Sequence, residues 1–193
     1  MRVFGWLRGR GAPRLDPRIA GWRRDWAAAG AGANSDAVEA LRARLDALGL
    51  PEDEIEIERE MLDALRALGQ LRELTRAGGL PMVETGHRAI GADRCHFSAP
   101  ASMPDADGQP SGRLLLTATR AIFLGGPGAT SVPWHAVGQA LHHERDLVLV
   151  RKDRDHLYRF RCNSFADALC GAFLAQQLTA ARPSDRSAGA SRT

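Results

Sequence analysis

The chain is expected to be an α+β protein: an N-terminal helical hairpin, then a small antiparallel barrel, then one closing helix. Leucines recur at spacings of three and four from Leu41 to Leu71, the mark of amphipathic helices. From Leu80 onward, short runs of Val, Ile, Leu, Phe and Thr alternate with Gly, Pro and Asp, the mark of strands. "NSFADALCGAFLAQQL" (163–178) then returns to a helical pattern with an apolar face wide enough to need a broad partner, such as the open end of a barrel.

Residues 1–33 are rich in Arg, Gly, Ala and Trp. Asp16 and Pro17 suit the cap and first turn of a short helix that Gly30 ends, with Ile19, Trp22 and Trp26 on one face. That face packs on the rest of the chain in one reading. In the other, a basic segment bearing Trp6, Trp22, Arg23 and Arg24 rests on an anionic membrane surface. Residues 34–79 form the hairpin. In its first helix Val38, Leu41, Leu45 and Leu48 align, Asp36 and Glu39 have capping-box spacing, and Gly49 is the stop. Pro51 is expected to start the second helix, its carboxylates from Glu52 to Glu58 forming a solvated N-terminal end. Leu62, Leu65, Leu68 and Leu71 carry that helix to Gly78 and Gly79.

Residues 80–179 hold the strands: "RCHFSA" (94–99), "RLLLT" (113–117), "RAIFLG" (120–125), "TSVPW" (130–134), "VGQALHH" (137–143), "DLVLV" (146–150) and "HLYRF" (156–160). Pro133 cannot donate to a ladder, so its strand belongs at an edge or a bend. "RKDRD" (151–155) is a charged hairpin turn. Ser164 and Asp167 cap the closing helix, and residues 180–193 lack apolar anchors and are expected to be a disordered tail.

Charge is uneven. Residues 1–26 carry seven arginines against Asp16 and Asp25, while residues 36–63 carry ten carboxylates against three arginines. The two segments therefore suit each other, or the basic one suits an anionic surface. The cations Arg151, Lys152, Arg154, Arg159 and Arg161 gather in "VRKDRDHLYRFR"; Arg159 and Arg161 fall on one strand face, either solvated or an anion-binding strip. Three cysteines without CxxC spacing argue against a disulfide framework and for a reducing compartment.

Enzymatic signatures are missing. Cys95 and His96 are adjacent, as are His142 and His143, so neither pair sets two ligands side by side on a strand, and no metal or cofactor is expected. There is no GxSxG, and "GGPGATS" (125–131) lacks the lysine of a phosphate loop. An enzymatic reading would need a pocket that gathers His135, His142 and Cys95. No DNA- or RNA-reading motif accompanies the pI of about 9.1, so nucleic acid is not the expected partner.

"SGRLLLTATRAIFLGG" (111–126) followed by "SVPWHAV" (131–137), two more strands and a helix resembles the bacterial PH-like and GRAM-like domains over roughly residues 80–179. The matching residues are Gly112, Leu114, Leu116, Thr117, Arg120, Phe123, Val132, Pro133, Trp134 and Val137. The resemblance implies that Thr117 and Arg120 shape a turn, that Phe123 and Trp134 fill the core, and that the domain carries no catalytic set. The loop that holds basic residues in the family's phosphoinositide binders here holds Asp105 and Asp107, with only Arg113 at its end. The expected function is a non-enzymatic binding or scaffolding module in the cytoplasm, contacting a protein partner or the inner membrane surface peripherally. β-augmentation near Pro133 is one expected mode. The alternative is a self-assembling structural protein that dimerises through Leu62, Leu65 and Leu68.

Overall fold

The computed structural model describes residues 16–32, 34–125, 128–153 and 156–181. Among these residues three helices, then seven strands, then a closing helix follow in the order the pattern foretold: α1 (Pro17–Ala29), α2 (Ser35–Asp46), α3 (Glu56–Gly78), β1 (Cys95–Ser102), β2 (Ser111–Thr117), β3 (Arg120–Gly125), β4 (Gly128–Pro133), β5 (Val137–His143), β6 (Asp146–Arg151), β7 (Leu157–Cys162) and α4 (Phe165–Ala180).

The strands form one sheet in the order β4-β3-β2-β1-β7-β6-β5, every neighbouring pair antiparallel. β1 joins the two halves. It pairs with β2 along its length but with β7 only through Ala101 and Ser102. The sheet curls strongly there. Phe123 on β3 and Phe160 on β7 are three strands apart, about 14 Å along a flat sheet, yet their ring centroids lie 5.9 Å apart. Leu114, Leu116, Phe123, Trp134, Leu147, Leu149 and Phe160 fill the interior, and Ala168, Ala172, Ala175 and Leu178 of α4 close it. The result is an open, barrel-like sheet capped by a C-terminal helix, a PH-like arrangement.

Helix α4 has two apolar sides. Its alanines lie on the sheet, where small residues permit close approach. Gly171 sits where a Cβ would stand 3.3 Å from the Phe97 ring. Phe165 and Leu169 instead join Trp22, Trp26, Val38, Leu41, Leu45, Leu62, Leu65 and Leu68 in a second cluster. The wide apolar face thus has a partner on each side, the sheet and the N-terminal helices. This also corrects the self-assembly expectation in its stated form: Leu62, Leu65 and Leu68 are 4%, 0% and 4% exposed because α4 and the neighbouring helices already cover them.

Three local expectations need revision. The cap of α2 is Asn34, whose side chain accepts the Ala37 N–H at 2.8 Å, two residues before the anticipated Asp36. Pro51 leads into a single 3-10 turn, Glu52–Glu54, and α3 begins only at Glu56. The acidic run is not uniformly solvated either. Glu58 is 1% exposed and Glu60 ties two elements together, because a charged side chain can enter a packed seam when cations meet it there. A feature absent from the pattern is a third small cluster, in which Ile90 covers Cys95, Leu115 and Ile122 on the outer face of the sheet.

Candidate functional site

The cation strip is built by the strand period. Arg159 and Arg161 stand two apart on β7 and so share a face. Across the β6–β7 ladder, Arg161 lies opposite Asp146. Asp146 is 4% exposed and accepts hydrogen bonds from Arg161 Nε at 2.9 Å and Nη2 at 3.3 Å. Its Oδ2 lies 3.5 Å from Arg159 as well. Asp105, from the β1–β2 loop, folds across the strip and takes two hydrogen bonds from Arg159. These carboxylates hold Arg159 and Arg161 protonated beyond the ordinary arginine range, chiefly through the hydrogen bonds themselves. Arg151 is bound to Asp153 at 2.7 Å, and Arg113 donates to Ser98 Oγ at 3.0 Å. Lys152 is exposed. Arg154 lies outside the described residues. Arg151, Arg159 and Arg161 are therefore each matched by a carboxylate, and sequence reading missed Asp146 because its role appears only across the ladder.

The Thr117–Arg120 turn is a lattice of short bonds. Only Ala118 and Thr119 separate β2 from β3, and neither has the positive φ that two-residue hairpins favour. The Thr117 hydroxyl compensates. It donates to the Arg120 carbonyl at 2.8 Å and accepts the Arg120 N–H at 3.1 Å. Trp134, fully buried, donates its indole N–H to the Thr117 carbonyl at 2.8 Å. Asp93 accepts from Thr119 through both N–H and hydroxyl. Burial pushes the Asp93 carboxyl up, but the hydroxyl and backbone N–H groups gathered around it outweigh burial and hold the group below its usual range. Arg120 reaches the Ala89 carbonyl at 3.2 Å. Gly112 pairs with Gly125 across the β2–β3 ladder, where a Cβ would fall 1.9 Å from the Leu124 carbonyl oxygen. Leu114, Leu116, Phe123, Val132 and Val137 are core, and Pro133 ends β4.

Trp22 and Trp26 do not stand at the surface. Trp22 is 2% exposed and donates to the Leu41 carbonyl at 2.9 Å; Trp26 donates to the Met61 carbonyl at 2.6 Å. Each indole thus finds the polar partner that burial demands. Arg23 grips Glu58 Oε1 through Nε at 2.7 Å and Nη2 at 2.6 Å, so the basic and acidic segments meet directly. Glu60 accepts the Phe165 N–H at 3.0 Å at the start of α4 and pairs with Arg145, whose guanidinium lies 5.1 Å from the Phe165 ring centroid. Arg24 is exposed, while Trp6 lies outside the described residues.

His135, His142 and Cys95 do not converge. His135 is exposed. His142 sits edge-on to Trp26 with ring centroids 6.2 Å apart, and burial, aided by His143, pulls its pKa below the ordinary 6.5. Cys95 donates to the Phe97 carbonyl at 3.1 Å on the other half of the sheet. Burial pushes the Cys162 thiol up to about 12 and the Cys170 thiol up to about 11, the opposite of a nucleophile's environment.

The two sheet edges differ. On β5, Gln176 of α4 donates to the Ala140 carbonyl at 2.8 Å, so the helix caps that edge. On β4, Trp134 N–H bonds the Thr119 carbonyl at 3.1 Å, one step beyond the Arg120–Pro133 pair. Bonded pairs alternate along an antiparallel ladder. Val132, Thr130 and Gly128 therefore bond to β3, while Ala129, Ser131 and Pro133 turn their backbone groups outward. Ala129 and Ser131 are exposed. Pro133 lacks the N–H that would face out there, which is why a proline is tolerated.

No family model matches this chain, and no curated protein does. Among solved structures, the C-terminal domain of an unknown protein from Leishmania infantum aligns at 10% identity and a TM-score of 0.39, covering 47% of this chain and 88% of its own. A mutant of the DH/PH domains of p115-RhoGEF aligns at 8% identity and a TM-score of 0.41, covering 87% of this chain and 56% of that one. An N-terminally truncated linker-DH/PH form of p115-RhoGEF gives 7% identity and 0.41, covering 87% and 55%. The chain thus spans little more than half of either DH/PH structure.

Proposed function

We propose that this protein is a non-catalytic binding module that takes an extended segment of a partner protein along the outer edge of β4. The carrying observation is the edge itself: Ala129 and Ser131 present backbone donors and acceptors outward and are exposed, whereas the opposite edge is capped by Gln176. A partner strand there satisfies those groups in register, and Pro133 ends the register. The small side chains of Ala129, Thr130 and Ser131 leave room for a neighbouring strand.

Protein is favoured over an anionic membrane because Arg151, Arg159 and Arg161 are already engaged by Asp153, Asp105 and Asp146. The same reading keeps the module in the cytoplasm, where its three free thiols suit a reducing compartment. No helix among the described residues is long and apolar enough to cross a membrane.

Peptide display against the purified chain, followed by amide exchange, tests the edge. The expected result is extended peptides that slow exchange at Ala129 and Ser131. Ser131→Pro, which removes an outward N–H without touching the β3 ladder, should weaken them about tenfold or more. Peptides that bind Ser131→Pro equally well would refute the edge. Co-sedimentation with anionic vesicles but no peptide binding would favour the membrane instead, and a concentration-dependent dimer lost in Ser131→Pro would make a second copy the partner.

A further inference from the structure

Many described arginines sit against a carboxylate: Arg18 with Asp16, Arg23 with Glu58, Arg44 with Asp25, Arg66 with Asp63, Arg145 with Glu60, Arg159 with Asp105. Arg24, Arg88, Arg94, Arg113 and Arg120 depart from this pattern, and so do Arg72 and Arg76. The last two are four residues apart on α3, hence neighbours on one face, where like charges disfavour each other. Among the described residues neither forms an ion pair. Both line a single cleft of about 650 Å³, between the start of α2, the last turns of α3 and the outer side of α4, together with Asn34, Thr75, Phe173 and Gln177.

The cleft offers donors and positive charge. Arg72 is held in place, donating through Nη2 to the Gly30 carbonyl at 3.0 Å with its guanidinium 5.6 Å from the Phe173 ring centroid. A donor fixed before binding loses less freedom on capture. The Asn34 side-chain oxygen is occupied by the Ala37 N–H, which leaves its amide nitrogen to donate. The Thr75 hydroxyl hydrogen is committed to the Leu71 carbonyl. Among the described residues no carboxylate lines the space.

We propose that this cleft binds a phosphate monoester. Two guanidiniums supply a charge of +2, and a phosphate monoester brings about −1.5 to −2 on three strong acceptor oxygens. A lone carboxylate leaves one of those charges unmatched. The volume is that of a small-molecule site, about 300–1,000 Å³. The phosphate arrives on a free metabolite-sized ester or on a lipid headgroup; both present the same anion. The site is separate from the β4 edge and stands or falls without it.

The test titrates the full chain, in chloride buffer, with inorganic phosphate and with glycerol 3-phosphate. In parallel the chain is co-sedimented with phosphatidylcholine vesicles with and without phosphatidic acid. Saturable binding is expected that acetate at equal ionic strength does not displace. Arg76→Gln, in an exposed last helical turn, should weaken it about tenfold, the loss expected for one charge-assisted contact, while Arg94→Gln, an exposed arginine outside the cleft, leaves it unchanged. Binding of the soluble ester without vesicle binding identifies a free ester. Arg76-dependent binding to phosphatidic acid vesicles, with glycerol 3-phosphate at least tenfold weaker, identifies a headgroup. If no probe binds above the chloride control, if acetate binds equally, or if Arg76→Gln binds like the wild type, the site does not exist.

Discussion

Replacing Thr117 by Val isolates the hydrogen bonds of the β2–β3 turn from its packing. Thr117 is 0% exposed, and its hydroxyl bonds both the N–H and the carbonyl of Arg120. Valine keeps the shape and removes only the oxygen. Each lost bond contributes about 0.5–1.5 kcal/mol net, and a buried backbone group left unpaired costs about 1–3 kcal/mol. Arg120 is part-exposed, so water recovers some of the loss. We expect Thr117→Val to destabilise by about 2 kcal/mol, a fall in Tm of roughly 4–8 °C for a chain of this size. Thr117→Ser keeps the hydroxyl and loses a methyl, costing about 1 kcal/mol. Urea unfolding followed by circular dichroism measures both, with an unchanged m value confirming that the denatured state is the same. A Val variant at least as stable as the Ser variant would show that Thr117 acts by packing and that the turn does not need its oxygen.

Four further outcomes are expected. His142 has its folded pKa lowered by burial, so its contribution to stability is present above the unfolded value near 6.5 and is lost as pH falls through the folded one. The wild type should therefore lose more stability between pH 7.5 and pH 5.5 than His142→Asn does, measured by urea midpoints. Cys162, with its thiol near 12, should react with a thiol reagent at pH 8 roughly a thousandfold more slowly in the native chain than in urea. Gly112→Ala places a Cβ against the Leu124 carbonyl and should cost about 2–3 kcal/mol by thermal unfolding, because two paired backbones have to part. Arg23→Ala, which leaves Glu58 buried without its cation, should destabilise more than Arg42→Ala at an exposed pair, by about 2 kcal/mol in urea.

Helix and strand periods are local properties, so the residues themselves announced α1, the leucine stripe of α3, the seven strands and the cap of α4 at Ser164. Pro133 marked its own edge because a missing N–H is a property of one residue. What lay beyond that reading is whatever depends on two distant segments meeting. The 52–58 carboxylates looked solvated because no local rule tells Glu58 that Arg23, thirty-five residues earlier, will reach it. Arg159 and Arg161 read as free cations until the β6–β7 register set Asp146 beside them and a loop brought Asp105 across. Trp22 carried the residue type of a membrane anchor, yet a carbonyl on α2 and the shared helical core gave it a better place out of water. Likewise Arg72 and Arg76, unremarkable on a helix, face one cleft only because α2 and α4 wall it in. Composition and periodicity determined which elements form; which charges cancel, and which remain available to a partner, was decided by packing, since ion pairing depends on distance in space rather than along the chain.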